Sequence, residues 1–401
     1  MQEIVINQDK ENNKIVALVE NGKLVEKYEE KEGSRHLEGN IYLGKVENVL
    51  LGMQAAFVDI GTEKNTFIHI KDVIPKVSNE TGNKNEILSK YDIKNYIRSG
   101  MPILVQVKRD STNKKGARVS THISLPGRFV VLMPGQEFIT ISKKIEKEAE
   151  KKRLLEIAKE ILPKGYGIII RTSCQGKSKE LISSDIQKVI TEYKEIQKKK
   201  EALEKQENFK PTLVYQNDGI VGKILTDLVD QDLMRILTNH QEIEQYVKQF
   251  LQDTGLENKV KLELKQGQNI LDLYDIEEQI EKANNRKIWL KCGGFITIDK
   301  TEALTAIDVN SGKYIGNKDL EQTVYTVNKE ASIEIAKQLR LRDIGGIVII
   351  DYIDMEKQET KQKILETLEE ALKKDRSKTQ IIGFTPLDLL EMTRKHMCSN
   401  D

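Results

Sequence analysis

The chain has 401 residues, 32% of them charged, with a formal net charge of +1. That length allows several domains with sizeable cores. The near-zero charge balance argues neither for nor against a polyanionic partner, so any basic site must be local. Cys174, Cys292 and Cys398 form no CxxC pair, which excludes a disulfide framework and points to a reducing compartment. No apolar run reaches the roughly 18 residues of a membrane span. The first residues, Met1-Gln2-Glu3-Ile4-Val5-Ile6-Asn7, lack the regions of a signal peptide. A cytoplasmic protein with no membrane partner is expected.

In chain order, residues 1–28 alternate apolar and polar, and Asn21-Gly22 between two such runs predicts a hairpin. Short runs closed by glycine between residues 39 and 122 predict a small barrel. It is interrupted at about 75–100 by a polar insert read as a mobile loop. Residues 143–162 have a helical pattern. Residues 167–172 predict a strand ending in Arg171-Thr172, and 178–206 a long helix with Leu181, Ile182, Ile186, Val189, Ile190, Tyr193 and Ile196 on one face. Residues 212–275 suggest a strand, helices near 221–237 and 240–251, and another strand pair. From 282 onward strand and helix alternate: a strand pair within 294–310, a helix at 318–341, a strand at 347–351, a helix at 355–373 and a short strand at 380–384. A final helix is expected after Thr385-Pro386, a good N-cap and N1 pair. The class is α/β and multi-domain, without internal repeats.

Two runs carry the chemistry. Thr305-Ala306-Ile307-Asp308-Val309-Asn310 and Gly346-Ile347-Val348-Ile349-Ile350-Asp351 are apolar and β-branched, and each carries a carboxylate at or near its end. Alternation along a strand puts Asp308 and Asn310 on one side with Leu304 and Ala306. Asp351 ends a strand that reads as buried, where an unpaired charge is costly. Two strand-end carboxylates suit Mg²⁺, which takes few protein oxygens and keeps room for water and phosphate. That suggests metal-assisted phosphodiester hydrolysis. The plainer reading of either aspartate alone is a turn former or cap, and Asp354 is assigned to that kind.

Other motifs carry less. Gly176-Lys177-Ser178 is not a P-loop, because Arg171 stands where the first glycine is needed. The five histidines show no ligand spacing. Phe57 and Phe67, on neighbouring barrel strands, are either core or a stacking platform for unpaired bases. Lys108, Arg109, Lys114, Lys115 and Arg118 supply local positive charge nearby. Arg171 and Thr172 offer a guanidinium fork and a hydroxyl to a phosphate, with a buried ion pair the equal alternative.

Several segments together resemble the ribonuclease E/G family of endoribonucleases. They are residues 39–46, 54–61, 123–128, Arg171-Thr172, 301–312, 345–355 and 390–395, in family order along nearly the whole chain. The resemblance implies a split ribonuclease-H-like domain (1–38 and 212–281) and an inserted OB-type barrel (39–122). It also implies a 5′-sensor subdomain (123–211) and a deoxyribonuclease-I-like catalytic domain (282–401). It implies cleavage of single-stranded RNA, in RNA processing and decay, to leave 5′-phosphate products. Mg²⁺, or Mn²⁺ in its place, would be held by Asp308 and Asp351 with Asn310 assisting. Phe57, Phe67 and Lys115 would grip RNA, and Arg171 and Thr172, with backbone near Gly127 and Val131, would sense a 5′-monophosphate.

Family members commonly carry a CPxCxG-type segment that donates thiolates to a zinc shared by two protomers. Here Cys398 stands alone near the end, so a zinc-linked assembly is in doubt while a homodimer is left open. The alternative function is a non-catalytic single-strand RNA-binding protein, which would not need Asp308, Asn310 and Asp351. A deoxyribonuclease is weaker still, since the barrel and sensor suit unpaired RNA.

Overall fold

The computed structural model describes residues 2–31, 37–74, 91–111, 116–206, 209–229, 233–313 and 320–396. Lys114, Lys115, Cys398 and most of the polar insert lie outside them. The chain forms two compact units, residues 1–33 with 231–400, and residues 34–230.

The first unit opens with β1 (Gln2–Gln8), β2 (Lys14–Glu20) and β3 (Lys23–Glu30), an antiparallel meander whose β2–β3 turn is the expected Asn21-Gly22. The second unit then begins with β4 (Ile41–Leu50), β5 (Ala55–Asp59), β6 (Thr66–His69), β7 (Pro102–Arg109) and β8 (Arg118–Ser120). These strands run in the order β4-β5-β6-β8-β7 and close by a β4–β7 pairing. The closure depends on one long strand with two sets of partners. Ile41–Lys45 pairs with β7, while Lys45–Leu50 pairs with β5. At the changeover sits Gly44, where a Cβ would lie 2.7 Å from the Asp59 carbonyl oxygen, so only glycine lets the strands come this close. Val46, Ala56, Val58, Ile68, Val105 and Val119 fill the interior. The end of the insert is not loose: Ile93 and Ile97 are buried in the same core, and the Ile93 N–H donates to Gln54 Oε1 at 2.8 Å.

The same unit continues with β9 (Leu125–Pro126), β10 (Val130–Pro134), β11 (Ile139–Ile141), α1 (Glu148–Ile161), β12 (Tyr166–Ile170) and α2 (Lys179–Glu204). The strands form a sheet ordered β11-β12-β10-β9. The apolar face read from the sequence is buried on α2, with Ile182, Ile186, Val189, Ile190 and Ile196 in one core with Leu132 and Ile168. Ser178, from the rejected P-loop, caps this helix by accepting the Leu181 N–H. β13 (Thr212–Tyr215) returns to pair with β4, and α3 (Gly219–Leu228) ends the unit.

Back in the first unit come β14 (Leu233–Thr238), α4 (Gln241–Asp253), β15 (Lys261–Leu264) and α5 (Ile276–Asn284). The helix expected near 221–237 therefore stops at Leu228, and from Leu233 the chain is the strand β14. β14 runs parallel to β1 in the order β15-β14-β1-β2-β3, and its Leu233, Ile236 and Leu237 are buried. A short apolar run has no periodicity of its own to choose helix or strand, and pairing with β1 decides it.

The last sheet comprises β16 (Lys287–Trp289), β17 (Phe295–Lys300), β18 (Leu304–Asn310), β19 (Gly346–Asp351), β20 (Thr379–Phe384) and β21 (Leu389–Arg394), ordered β16-β17-β18-β19-β21-β20. The helices α6 (Leu320–Leu341) and α7 (Gln358–Leu372) bury Val327, Ile335, Leu339, Ile364 and Leu368 with Ile307, Val348 and Ile350. The helix expected after Thr385-Pro386 is instead the strand β21. Thr385 Oγ1 accepts the N–H groups of Leu387 and Leu389, and the Thr385 N–H donates to the Leu389 carbonyl, so the hydroxyl closes a hairpin turn. Leu390, Met392 and Arg394 are then buried at strand spacing. Among the described residues no helix is long and apolar enough to cross a membrane.

Two ion pairs buried within this unit tie its parts together. Arg340 of α6 donates through Nε to Glu26 of β3 at 3.0 Å, and Glu26 also accepts the Tyr28 hydroxyl. Arg394 donates to Asp375 at 2.7 Å, to Asp343 at 2.7 Å and to the Ile344 carbonyl. The Arg394 and Asp375 side chains are each 2% exposed, so removing the guanidinium strands a carboxylate away from water. Arg394→Ala is expected to cost about 3–5 kcal/mol in chemical unfolding followed by circular dichroism. A loss below about 1 kcal/mol, typical of a surface pair, would contradict this burial.

Candidate functional site

β18 alternates as expected. Thr305, Ile307 and Val309 are buried, while Ala306 and Asp308 face outward, with Asn310 half-buried on the same face. In the parallel β18–β19 pair, Asp308 is the register partner of Asp351. The carboxylates thus leave adjacent strands whose backbones are roughly 5 Å apart. Asp351 does not sit in a buried position. Val348 and Ile350 are the buried residues of β19, and the next side chain turns outward. Asn310 Nδ2 donates to Asp308 Oδ2 at 2.6 Å, which orients that carboxylate.

Asp351 is held above the ordinary aspartate pKa, first by partial burial, then by the negative charges of Asp308 and Asp354. Asp354 therefore belongs to an acidic group. It does not cap a helix, since α7 begins at Gln358 with Lys357 at its N-cap. A bound divalent cation would relieve this repulsion, and an all-oxygen donor set suits a hard cation. Among the described residues no cluster of three or more His, Cys, Asp or Glu side chains is arranged to hold a metal. Asp308 and Asp351 match the sparser Mg²⁺ pattern, one or two carboxylates with the remaining positions left to water and phosphate.

The segment after β19 is pinned from behind by groups that sequence reading missed. Buried Asn328 of α6 donates to the Ile353 carbonyl at 2.8 Å and accepts the Ile353 N–H at 3.1 Å. One turn on, the Ser332 hydroxyl lies 2.8 Å from the buried Tyr352 hydroxyl. The available signal was two polar residues four apart within the apolar stripe of a helix.

In the second unit, Arg171 follows β12. Its N–H donates to the Phe129 carbonyl at 2.8 Å and its Nη1 to the Gly127 carbonyl at 3.1 Å. Thr172, exposed, has its hydroxyl 2.9 Å from that of Ser142. Ser173 donates to the Arg128 carbonyl at 2.7 Å. The structure thus brings Arg171, Thr172 and the Gly127 loop together. Half-buried Val131 lies on β10, in register with Pro126 and Ile169. The loop is organised by Asp185 of α2, another residue the sequence did not single out. Its carboxylate accepts the N–H groups of Arg128, Phe129 and Val130 at 3.1, 2.8 and 3.2 Å. Burial raises its pKa and these three donors oppose the rise. A Cβ on Gly127 would lie 2.6 Å from this carboxylate, so the tight approach requires glycine there.

On the barrel, Phe57 and Phe67 are register partners on β5 and β6, with ring centroids 6.2 Å apart and planes at 70°. Phe57 is exposed and Phe67 half-buried, while their neighbours Ala56, Val58, Thr66 and Ile68 are buried. The pair therefore belongs to the outer face, not the core. Of the nearby basic residues, Arg118 is engaged by Asp72 at 2.6 Å, and Lys108 by Gln106 and Ser124. Arg109 is exposed.

The acidic group makes a titration test possible. Because the folded pKa of Asp351 is raised, its proton is bound more tightly in the folded chain. This contribution to stability is present at low pH and is lost as pH rises through the folded value. In metal-free protein, carboxyl ¹³C NMR is expected to place the Asp351 midpoint above 3.8 and to move it downward in Asp354→Asn. A midpoint unmoved by that substitution would exclude Asp354 from the group.

The family model described as the Ribonuclease E/G family matches residues 124–397. Ribonuclease G of Salmonella typhimurium (strain SL1344) is 40% identical over 384 residues, 95% of this chain and 77% of that protein. Ribonuclease G of Escherichia coli (strain K12) is 39% identical over the same shares. Ribonuclease E of Escherichia coli (strain K12) is 34% identical over 404 residues, 99% of this chain but 37% of that protein. With more than half its length inside the family model, and higher identity to the ribonuclease G sequences, the chain belongs to the ribonuclease E/G family and is ribonuclease G-like.

Proposed function

We propose that the chain is a Mg²⁺-dependent endoribonuclease that cleaves single-stranded RNA in RNA processing and decay, favouring substrates with a 5′-monophosphate. The observation that carries this reading is the in-register pairing of Asp308 with Asp351, together with the ribonuclease names of the relatives. Asp308 and Asp351 would hold the cation, and Asn310 orients Asp308 through its amide. The bound metal would activate water and stabilise charge on the phosphate. Water attacks phosphorus, the bond to the 3′-oxygen breaks, and that oxygen leaves protonated as a hydroxyl, with the phosphate kept on the downstream 5′ end. Asn328 acts at a distance by fixing the backbone beside Asp351.

The domain identities follow the same reading. The order β3-β2-β1-β14-β15 supports a ribonuclease-H-like domain split by an insertion, and the closed barrel supports an OB-type module. The last sheet, covered by α6 and α7, would be the deoxyribonuclease-I-like catalytic domain. Phe57 and Phe67, facing outward, are suited to stack bases, with Lys115 contributing charge. Arg171 and Thr172, with backbone near Gly127 and Val131, would bind the 5′-monophosphate. A terminal monophosphate carries more charge than an internal phosphodiester, and a guanidinium fork can distinguish them. The proposed setting is the cytoplasm.

Asp308→Asn or Asp351→Asn is expected to abolish cleavage of a fluorescent 5′-monophosphorylated oligonucleotide with Mg²⁺, while RNA affinity stays within a few-fold. Cleavage near the wild-type rate by either variant would refute the metal assignment. Phe57→Ala is expected to weaken RNA binding by about 1–3 kcal/mol with little change in melting temperature. Loss of stability at unchanged affinity per folded molecule would remove the stacking role. Arg171→Gln is expected to lower kcat/KM for 5′-monophosphorylated RNA and hardly change that for 5′-hydroxyl RNA. Equal slowing of both substrates would mean that Arg171 is structural.

A further inference from the structure

The outward face of the last sheet carries more than carboxylates. Cross-strand register places Lys287, Thr297, Asp308 and Asp351 in one row across β16, β17, β18 and β19. It places Trp289, Phe295 and Asn310 in the adjacent row. Register partners project to the same face, and so do residues two apart on a strand. The two aromatics therefore share the face of Asp308 and Asp351. Phe295 is the direct neighbour of Asn310, one strand and two residues from Asp308, a backbone separation of roughly 8 Å by strand spacing and rise. Trp289 is 57% exposed. Its ring centroid lies 5.4 Å from that of Phe295, with planes at 63°. Lys287 Nζ lies 3.6 Å from the Phe295 centroid and 4.2 Å from that of Trp289.

We propose that Trp289 and Phe295 form a stacking platform for an unpaired base flanking the phosphodiester cleaved at Asp308 and Asp351, with Lys287 meeting the adjoining backbone phosphate. The platform rests on the endoribonuclease reading for its place beside the cut. An RNA strand fits better than an apolar partner, because the rings are accompanied by a cation and continue directly into the acidic row. Every base presents a π-face, so the platform takes a base without specifying which. Lys287 already occupies the electron-rich ring faces, and a base arriving there can displace it toward the phosphate.

Trp289 is the chain's single tryptophan, so its emission reports on this face directly. The full chain, in chelator to prevent cleavage, is titrated with a 5′-monophosphorylated single-stranded oligoribonucleotide. Saturable quenching is expected, and it should largely disappear when both nucleotides flanking the cleavage site are abasic. With Mg²⁺, wild type is expected to lose about tenfold in kcat/KM on the abasic substrate, the order of one base–aromatic stack. Trp289→Ala should lose about as much on the intact substrate and nothing further on the abasic one, with an unchanged melting temperature. Phe295→Ala, scored per folded molecule, should behave alike. Normal cleavage with emission indifferent to RNA, or an abasic substrate cut as fast as the intact one, overturns the platform and leaves the nuclease reading standing. No cleavage of any RNA by wild type defeats the nuclease reading, and the emission titration still decides whether a base binds here. Emission that follows protein concentration and not RNA assigns the face to a second copy of the chain and overturns the proposal.

Discussion

The parallel register between β18 and β19 is the constraint on which the proposed chemistry depends. Strand side chains have a period of two, so a one-residue slip would turn Asp308 into the apolar core and Ile307 out to solvent. The core prevents that slip. Ile307 and Val309 from one strand, and Val348 and Ile350 from the other, pack with α6 and α7. Parallel strands also require a long crossover, and α6 supplies it. The same helix brings Asn328 beneath the backbone that follows β19. Apolar packing thus sets the register, the register sets the spacing of the carboxylates, and a buried amide fixes the segment that carries Asp351 onward to Asp354.

Asn328 and Asp185 solve the same problem in different units. Each is a polar side chain on a helix that satisfies backbone groups of a loop, and an unpaired polar group at such a depth is costly. Asn328 pairs with both backbone groups of Ile353, and Asp185 gathers three successive N–H groups. A loop held this way needs no regular structure of its own, which leaves its outward atoms free to meet a ligand.

Much of the architecture was legible in the residues. The Asn-Gly hairpin, the small barrel, the long helix of 179–204 and the alternation after residue 282 appear where the patterns indicate. Asp308 and Asn310 were readable as one face because β18 alternates cleanly. Several features were misread for local reasons, and three of them show how. Residues 233–238 form an apolar run too short to reveal its period, and a partner more than two hundred residues away makes it a strand. Thr385-Pro386 carries a helix-start signal that a hairpin turn uses equally well, and the buried Leu390, Met392 and Arg394 at period two were the counter-evidence. Asp351 was read as buried because its strand is apolar, although the alternation itself turns it outward. Asp185, in a helix dense with charge, could not be told from a solvated residue without its loop.

The pairing of β1 with β14 has a consequence for how the chain is made. Gln2 and Leu233 are partners in one sheet, so β1, β2 and β3, which are made before β14, cannot complete that sheet until β14 follows. At about 5–20 residues per second, that is a wait of roughly 10–50 s with β1, β2 and β3 synthesised and the edge of β1 that later meets β14 still open. The barrel and the sheet behind it, residues 34–230, are complete within that interval. Birth order thus favours the inserted unit folding first, while the enclosing unit closes late around long-range contacts of the kind that slow folding. During that interval the unpaired edge of β1 is a template on which a nascent chain of this topology is exposed to mispairing.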